Sequence, residues 1–162
     1  MENKFLIQHT TIELVSSFEN FIQNFEKAAG RFEYSILDQI AEGRERAQEE
    51  IRKMEGDQGL MIFTINDHGK VLSMFDVPAK VIQYQIGNPL IAASMSSVDL
   101  LAAMYAPLRM LVYEKDDRVY ADYELPSVIF GQFASDTIKK TGIALDEKLK
   151  TLILNADTAA EQ

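Results

Sequence analysis

The chain has 162 residues, of which 47% are hydrophobic and 25% charged, and its formal net charge is -9. This length and composition predict one globular domain over residues 1–162 with a sizeable buried core. The negative charge argues against a nucleic-acid partner, because binding to phosphates normally needs a clustered basic face.

The sequence contains no cysteine, which excludes disulfide bonds, thiolate chemistry and cysteine-ligated zinc. Two histidines without suitably spaced carboxylates give no metal-site pattern, so we expect no metal and no cofactor. The first residues lack the basic and apolar regions of a signal peptide. No apolar run reaches the roughly 20 residues that span a bilayer. We therefore expect a cytoplasmic protein without a membrane partner.

The N-terminal third predicts a strand and two helices. Residues 5–15 are rich in β-branched side chains, which favour a strand. Ser16 and Glu19 have the spacing of a capping box at the start of the first helix. A narrow apolar stripe at helical spacing then predicts one long charged helix over residues 35–55, with Gly43 as its weak point.

Residues 60–65 predict a short buried strand, and the segment after it has two interpretations. The turn chemistry of residues 66–70 fits a hairpin that leads into a strand at 71–75. Alternatively, Asp67 caps a short helix that ends before Pro78. Periodicity over so few residues leaves both structures open.

A tight corner follows the alternating apolar and polar residues at 82–86, which predict a half-buried strand. Gly87 is suited to backbone angles that other residues avoid, Asn88 is a strong N-cap, and Pro89 fits a first helical turn. Such a corner presents free backbone N–H groups, which is a physical reason to expect a site here.

A second corner follows at Pro107, which ends a helical segment capped by Ser96 or Ser97. Period-2 alternation predicts a strand over residues 109–114, a hairpin turn, and a return strand over 119–124.

The C-terminal part predicts helices over residues 127–156. The first begins at Pro126 and ends at Gly142, and the last uses the apolar residues between 145 and 153. The polar tail from Ala156 is expected to fray. Because helices are mixed with an antiparallel hairpin, we expect an α+β fold. It would have a mainly antiparallel sheet of about five strands with helices packed on one face.

The two corners carry a family resemblance. Ile-Gly-Asn-Pro at 86–89, followed by Tyr-Ala-Pro-Leu-Arg-Met-Leu-Val-Tyr-Glu at 105–114, resembles the prokaryotic "domain of unknown function 302" family. The likeness extends over roughly residues 11–123 and includes Asp67 and His68.

The resemblance implies a TATA-binding-protein-like α+β fold, in which helices pack on a curved antiparallel sheet. It implies no established reaction, substrate or cofactor. The long charged helix and the helices over 127–156 depart from what we expect of a minimal family member.

Six side chains are candidates for ligand contact, namely His68, Asn88, Arg109, Tyr84, Tyr113 and Tyr123. His68 can serve as an acid or base, because an imidazole titrates near neutrality, or it is simply a polar residue in a turn. Asn88 can be a structural N-cap or part of an anion site at the helix N-terminus. The tyrosines can line a cavity or pack in the ordinary way.

Arg109 stands at the start of an otherwise apolar strand, so its charge must be solvated or paired. It can pair with Glu114, Asp122 or Glu124, or present its guanidinium to an acidic ligand.

Two functions from different classes fit these residues. The first is a non-catalytic domain that binds a small molecule or forms a homodimer through an apolar region with Leu90, Ile91, Leu100, Leu101 and Met104. The alternative is an enzyme of unassigned type, with His68 as acid or base and with Asn88 and Arg109 holding an anionic substrate. The alternative requires these three side chains to line one pocket.

Overall fold

The computed structural model describes residues 4–159. Its strands are β1 His9–Leu14, β2 Gly30–Arg31, β3 Met61–Asp67, β4 Val81–Gly87, β5 Leu108–Lys115 and β6 Arg118–Glu124. They form one sheet in the order β1-β6-β5-β4-β3-β2. The β2–β3 pair is parallel, and the other neighbouring strands are antiparallel.

The helices are α1 Phe18–Ala28, α2 Arg44–Lys53, α3 His68–Ser73, α4 Pro89–Ser96, α5 Pro126–Phe130 and α6 Asp136–Thr158. Three further segments form 3-10 helices, at Tyr34–Glu42, Asp57–Gly59 and Leu100–Tyr105. The α+β class is confirmed. The sheet has six strands where we predicted about five, because the two residues of β2 add a strand at its edge. The likeness to the TATA-binding protein stays a prediction.

The main core lies between one face of the sheet, here called the inner face, and the helices α1 and α6. Tyr84 of β4, Met110 of β5 and Ala121 of β6 are buried on this face. Phe25 of α1 and Leu149 of α6 pack into the same cluster. The apolar spacing predicted for the last helix therefore does bury one face of α6.

The opposite face of the sheet, here called the outer face, is more polar. Its side chains on β1, β6, β5 and β4 all keep at least part of their surface exposed. Thr11, Asp122, Leu111 and Gln83 form one row across these four strands, because each lies opposite the next in the register. No helix within residues 4–159 has both the length and the apolar character needed to cross a membrane.

The start of α1 differs from the predicted capping box. Ser17 is the N-cap, and its side chain accepts a hydrogen bond from the backbone N–H of Asn20 at 3.3 Å. Ser16 instead donates its backbone N–H and its hydroxyl to Asp157 of α6, at 2.9 and 2.7 Å. The prediction of Ser16 with Glu19 was wrong because a carboxylate distant in sequence takes up the donors of Ser16.

The single helix predicted over residues 35–55 is also wrong. The chain forms the 3-10 helix Tyr34–Glu42, breaks at Gly43, and continues as α2. A 3-10 helix has three residues per turn, so its faces differ from those of an α-helix. As a result Ile36 is buried while Ile40, part of the predicted apolar stripe, is 45% exposed.

The ambiguous segment after β3 is a helix. Asp67 caps α3, because its Oδ1 accepts a hydrogen bond from the N–H of Lys70 at 2.9 Å. The hairpin interpretation is therefore excluded.

The first corner confirms the predicted cap. Asn88 is the N-cap of α4, and Pro89 occupies its first turn. Gly87, however, does not have a positive φ, so our reason for a glycine there was wrong. The following 3-10 helix is capped by Asp99, which accepts from Leu101 N–H at 3.0 Å, and not by the predicted serines.

The C-terminal helices also have different bounds from those predicted. α5 ends at Phe130, and α6 runs through Gly142 without a break. A Cβ at Gly142 would lie 2.8 Å from the Cβ of Phe130, so this glycine allows α6 to approach α5 closely. Ala156 and Asp157 are buried in α6, so the fraying predicted from Ala156 onward is wrong here; the last three residues lie outside the described range.

Candidate functional site

The two predicted corners lie side by side at one end of the sheet. Ile86 pairs with Leu108 across β4 and β5, which brings residues 87–89 next to residues 106–108. Together they form part of the wall of a cavity of about 170 Å³, here called the corner cavity. The Ala106–Pro107 peptide in this wall is cis.

The corner cavity has a buried floor and a partly exposed rim. Met95, Leu108, Phe130 and Leu145 are buried side chains among its lining residues. The rim includes Phe63, Ile91, Ala92 and Pro107, which are half-buried. The cavity therefore has an apolar floor and reaches solvent past side chains that are themselves mainly apolar.

Asn88 is the one polar side chain among the described residues that line the cavity. Its Oδ1 accepts from the N–H of Leu90 at 2.8 Å and of Ile91 at 3.4 Å. Its Nδ2 donates to Glu55 Oε1 at 2.7 Å and to the carbonyl of Gly59 at 2.8 Å. These bonds already use both ends of the amide, so Asn88 fixes α4 against the segment that follows α2.

The cavity is consequently suited to an uncharged ligand. Among the described residues that line it, none carries a charge. Gly87 also lies in the wall, and a Cβ there would meet Pro107 and Phe63 at 3.8 and 3.9 Å. These are ordinary contact distances, so a larger side chain at Gly87 would narrow the cavity.

His68 lies far from the corner cavity. It is the exposed first residue of α3, directly after Asp67, which pairs with Ile82. Gly87, directly before Asn88, pairs with Met61 at the opposite end of the same two strands. Six residues of strand separate the two positions by about 20 Å. The structure does not bring His68 and Asn88 together.

Arg109 lies on the outer face and forms an ion pair there. Its Nε donates to Glu124 Oε2 at 3.3 Å, and its Nη2 donates to Glu124 Oε1. Of the partners considered from sequence, Glu124 is therefore the one that Arg109 meets. The guanidinium points away from the corner cavity, although Leu108, the preceding residue, lines that cavity.

The three candidate tyrosines lie on opposite faces. Tyr84 and Tyr123 are buried on the inner face, on either side of Met110. Tyr113 lies on the outer face and stacks on Tyr120 with 5.3 Å between ring centroids. The structure thus separates Tyr113 from the other two.

Burial is the main influence on these phenols. The Tyr84 hydroxyl donates to Glu26 Oε1 at 2.9 Å. Burial raises the pKa of Tyr84 far above its ordinary value, and the nearby charge of Glu26 raises it further. Burial also raises the pKa of Tyr123 and that of Tyr113, with smaller contributions from the charges of Asp146 and Asp122 respectively. All three phenols therefore favour the neutral form.

A polar group that the sequence analysis missed lies on the outer face. His9 Nδ1 is 2.8 Å from Asp122 Oδ1, and Thr11 donates to Asp122 Oδ2 at 2.6 Å. His9 and Asp122 are 113 residues apart and meet only because β1 pairs with β6. No local motif signals this contact. Within residues 4–159 no three His, Cys, Asp or Glu side chains form a group that could hold a metal ion.

The protein belongs to the α+β class. Its open six-stranded sheet is covered by helices on the inner face and has an apolar cavity at one end. A family model, Domain of unknown function DUF302, matches residues 39–156. The chain belongs to this family, and the match includes most of α6.

A solved structure of similar fold supports this assignment. The chain is similar to the crystal structure of an uncharacterized conserved protein DUF302 from Bacillus stearothermophilus, with a TM-score of 0.65 and 14% identity. The similarity covers 92% of this chain and 97% of the other. At this identity the likeness concerns the fold. No curated protein matches the chain.

Proposed function

We propose that this protein is a non-catalytic domain that binds a compact, neutral, apolar small molecule in the corner cavity. The observation that carries the proposal is that both corners form part of the wall of a cavity lined almost wholly by carbon. Apolar cavities of about 150 Å³ in other proteins stay dry and bind benzene or xenon. The corner cavity, at about 170 Å³, is of the same size.

The electrostatics of the cavity favour a neutral ligand. An anion placed beside Met95, Phe130 and Leu145 would lose its hydration without gaining a charged partner. Asn88 could offer a hydrogen bond only by giving up one of those it already makes. The enzymatic alternative is not part of the proposal, because His68 and Arg109 lie away from this cavity.

The half-buried rim supports exchange of a ligand with solvent. Ile91 and Ala92 lie on α4, which packs on the sheet end through its buried Met95. Rotamer changes of exposed side chains occur within nanoseconds, so the exposed part of the rim would admit a ligand without unfolding.

The direct test is a titration of benzene, toluene and indole followed by NMR of methyl groups. We expect saturable shifts of the methyl signals of Met95, Leu108 and Leu145, with a parallel rise in the thermal midpoint. Acetate and phosphate should leave these signals unchanged. Shifts spread over distant methyl groups without saturation would count against the corner cavity as the site.

A matched pair of variants on α4 sharpens this test. Ala92→Leu places a larger side chain at the cavity rim, whereas Ala93→Leu makes the same change at an exposed neighbouring position. We expect Ala92→Leu to weaken benzene binding about tenfold or more. Ala93→Leu should leave the affinity unchanged. Equal affinities in the two variants would contradict the proposal.

Self-association is a second candidate function, favoured by an exposed apolar patch at Leu100, Leu101 and Met104. Leu100 is 84% exposed and Met104 is 76% exposed. Residues 89–107 carry one charged side chain, that of Asp99. Two copies joined through this patch would therefore bring few like charges together, although the whole chain is acidic. We propose a homodimer in which the patch meets its counterpart.

Sedimentation of two methionine variants tests the homodimer. Met104→Ser removes an apolar side chain from the patch, and Met74→Ser makes the same change at a similarly exposed position, 78%, elsewhere. We expect Met104→Ser to shift the protein toward monomer and Met74→Ser to leave the wild-type distribution. A wild-type monomer at micromolar concentration would contradict the homodimer.

The cytoplasmic location stays a proposal that rests on a sequence without cysteine. The expectation of no nucleic-acid partner likewise rests on the acidic net charge, and that of no membrane partner on the lack of a long apolar run.

A further inference from the structure

We propose a second, independent ligand site on the outer face, in the depression around His9, Arg109 and Glu124. Its ligand would be a small molecule that carries an oxyanion, either a carboxylate or a phosphate, together with a hydroxyl group. The depression has a volume of about 330 Å³ and is also lined by Ile7, Gln83 and Leu111. Small-molecule sites commonly occupy roughly 300–1,000 Å³.

The register of the sheet places the polar groups in one row. His9 lies opposite Glu124 across β1 and β6. Met110 lies opposite Tyr123 across β6 and β5, which puts Arg109 opposite Glu124. His9 and Arg109 are therefore two strands apart, about 10 Å between backbones, and their side chains project from the same face. A ligand of a few heavy atoms can reach both.

The imidazole of His9 is held in a defined orientation by Asp122. Asp122 accepts from Thr11 at 2.6 Å and contacts His9 Nδ1 at 2.8 Å, so each of its oxygens has a partner. A carboxylate only accepts hydrogen bonds, so the neutral ring carries its proton on Nδ1. His9 Nε2 then presents a lone pair, and among the described residues it has no partner. Asp122 is a positioning residue.

Arg109 supplies the anion-binding group. Glu124 occupies the edge of the guanidinium formed by Nε and Nη2. Nη1 has no hydrogen-bond partner within the described part of the chain, and the Arg109 side chain is 54% exposed. Two neighbouring guanidinium nitrogens form a fork that matches a carboxylate or a phosphate. Glu124 holds the guanidinium in place and leaves the edge formed by Nη1 and Nη2 open to a ligand.

Gln83 adds a donor in the adjacent strand. Its Oε1 accepts from Asn66 Nδ2 at 3.1 Å, which orients the amide. Its NH2 group has no hydrogen-bond partner among residues 4–159, and Gln83 lines the depression. The three groups together offer an acceptor at His9, a cationic fork at Arg109 and a neutral donor at Gln83.

The carboxylates of Asp122 and Glu124 also line the depression. However, Asp122 is already paired with His9 and Thr11, and Glu124 with Arg109. The groups left to a ligand complement a hydroxyl beside an oxyanion and do not complement an apolar molecule.

The test is an NMR titration of the side-chain nitrogens of His9 and Arg109 with four probes. Glycolate carries a carboxylate and a hydroxyl, and glycerol 3-phosphate carries a phosphate and hydroxyls. Acetate lacks the hydroxyl, and ethylene glycol lacks the anion. We expect saturable shifts of both residues at millimolar glycolate or glycerol 3-phosphate, with the tighter of the two identifying the oxyanion. Acetate should bind more weakly, and ethylene glycol should not bind.

Matched variants separate the site from general surface charge. Arg109→Gln and His9→Gln should each weaken glycolate binding about tenfold, as expected for the loss of one hydrogen bond to a charged or fixed group. Arg118→Gln removes a comparable arginine of β6, which is paired with Glu13 of β1 at 3.3 Å, and His68→Gln removes the other histidine. Neither control should change the affinity.

Three results would overturn the proposal. These are the absence of saturable shifts with both glycolate and glycerol 3-phosphate, equal losses in Arg109→Gln and Arg118→Gln, and acetate binding as tightly as glycolate. None of these results bears on the corner cavity, whose apolar probes and variants are different.

Discussion

The same strands form both faces of the sheet, but the inner face is buried and apolar whereas the outer face is more exposed and more polar. Along β5, Met110 and Val112 point inward and are buried, whereas Arg109, Leu111 and Tyr113 point outward and keep contact with solvent. On the inner face an apolar cluster joins the strands to α1 and α6. On the outer face of β1, β6, β5 and β4 the contacts include ion pairs, a stacked tyrosine pair and a hydrogen bond between amides.

The difference teaches which residues are free to serve recognition. Successive side chains along a strand point to opposite faces of the sheet. Residues that stabilise the fold can therefore alternate with residues that bind a ligand. Inner-face residues stabilise the fold through burial, so changes there should be costly. Outer-face residues of β1, β4, β5 and β6 keep part of their surface exposed, so changes there should cost less and these side chains can bind a ligand.

The largest expected contrast comes from one leucine on each side of the sheet. Leu149→Ala removes a fully buried side chain of α6 and should lower the free energy of unfolding by about 2–5 kcal/mol. Leu111→Ala on the half-exposed outer face should cost about 1 kcal/mol or less, since less apolar surface is lost. Urea unfolding with an unchanged m-value measures both. Similar losses would mean that the outer face is covered in solution.

A smaller contrast is expected from two aspartates. Asp157 is 7% exposed and accepts hydrogen bonds from Val15 N–H and from Ser16 N–H and Oγ–H, at 3.0, 2.9 and 2.7 Å. Asp157→Asn should lower the free energy of unfolding by about 2 kcal/mol, because hydrogen bonds to a charged acceptor are strengthened by burial. Asp122→Asn on the outer face should cost about 0.5 kcal/mol.

Calorimetry of both asparagine variants checks this second contrast. Asp122→Asn should also weaken glycolate binding, since it no longer fixes the His9 tautomer, whereas Asp157→Asn should leave that affinity unchanged. The reverse pattern would contradict the division between a stabilising and a recognising face.

Much of the central fold follows from local sequence. Period-2 alternation located β4, β5 and β6, and the Asn88 cap with Pro89 located the start of α4. These features depend on residues that are neighbours in the chain, and local rules describe them well. The same rules failed where distant contacts decide the outcome. α6 continues through Gly142, where Phe130 leaves no room for a side chain, and Ser16 donates hydrogen bonds to Asp157.

The candidate sites likewise combine features that local sequence indicates with features that depend on distant contacts. The two corners indicated where the cavity lies, since their turn chemistry is local. Its apolar content could not be predicted, because Phe63, Phe130 and Leu145 reach it from other elements. The contact of His9 with Asp122 depends on the β1–β6 pairing alone, and no spacing along the chain encodes it.

A third contrast between the two faces comes from removing one tyrosine hydroxyl on each. Tyr84→Phe removes the hydrogen bond to Glu26 on the inner face and should cost about 1 kcal/mol. Tyr113→Phe on the outer face, where the ring stacks on Tyr120, should cost less than about 0.5 kcal/mol. Parallel denaturant curves measure the pair. Equal losses of unfolding free energy in the two variants would show that the hydrogen bond from Tyr84 to Glu26 does not stabilise the fold.

The raised pKa of Tyr84 adds a dependence on pH. The folded protein holds the phenolic proton more tightly than the unfolded chain, whose tyrosines titrate near pH 10. This contribution is fully present below about pH 10 and is lost as the pH rises toward the folded pKa. Wild type should therefore lose stability relative to Tyr84→Phe on going from pH 9 to about 11. A constant difference across that range would contradict the raised pKa.

The smallest effect is expected in the β5–β6 hairpin, whose turn belongs to neither face. Asp116 and Asp117 both have positive φ, 52° and 59°, which a two-residue type I′ hairpin turn requires and which glycine adopts most readily. Asp117→Gly should stabilise the fold by about 0.5 kcal/mol, after allowing for the greater freedom of glycine in the unfolded chain.

Lys115→Gly is the control for this turn, because Lys115 is the last residue of β5 and does not have a positive φ. There the same glycine should destabilise the fold by about 0.5–1 kcal/mol. Thermal unfolding measures both variants. Because neither position contacts the outer-face depression, glycolate affinity should be the same in both variants, which separates the stability of the sheet from recognition on its outer face. A change in affinity in step with stability would mean that the two are coupled through the strands.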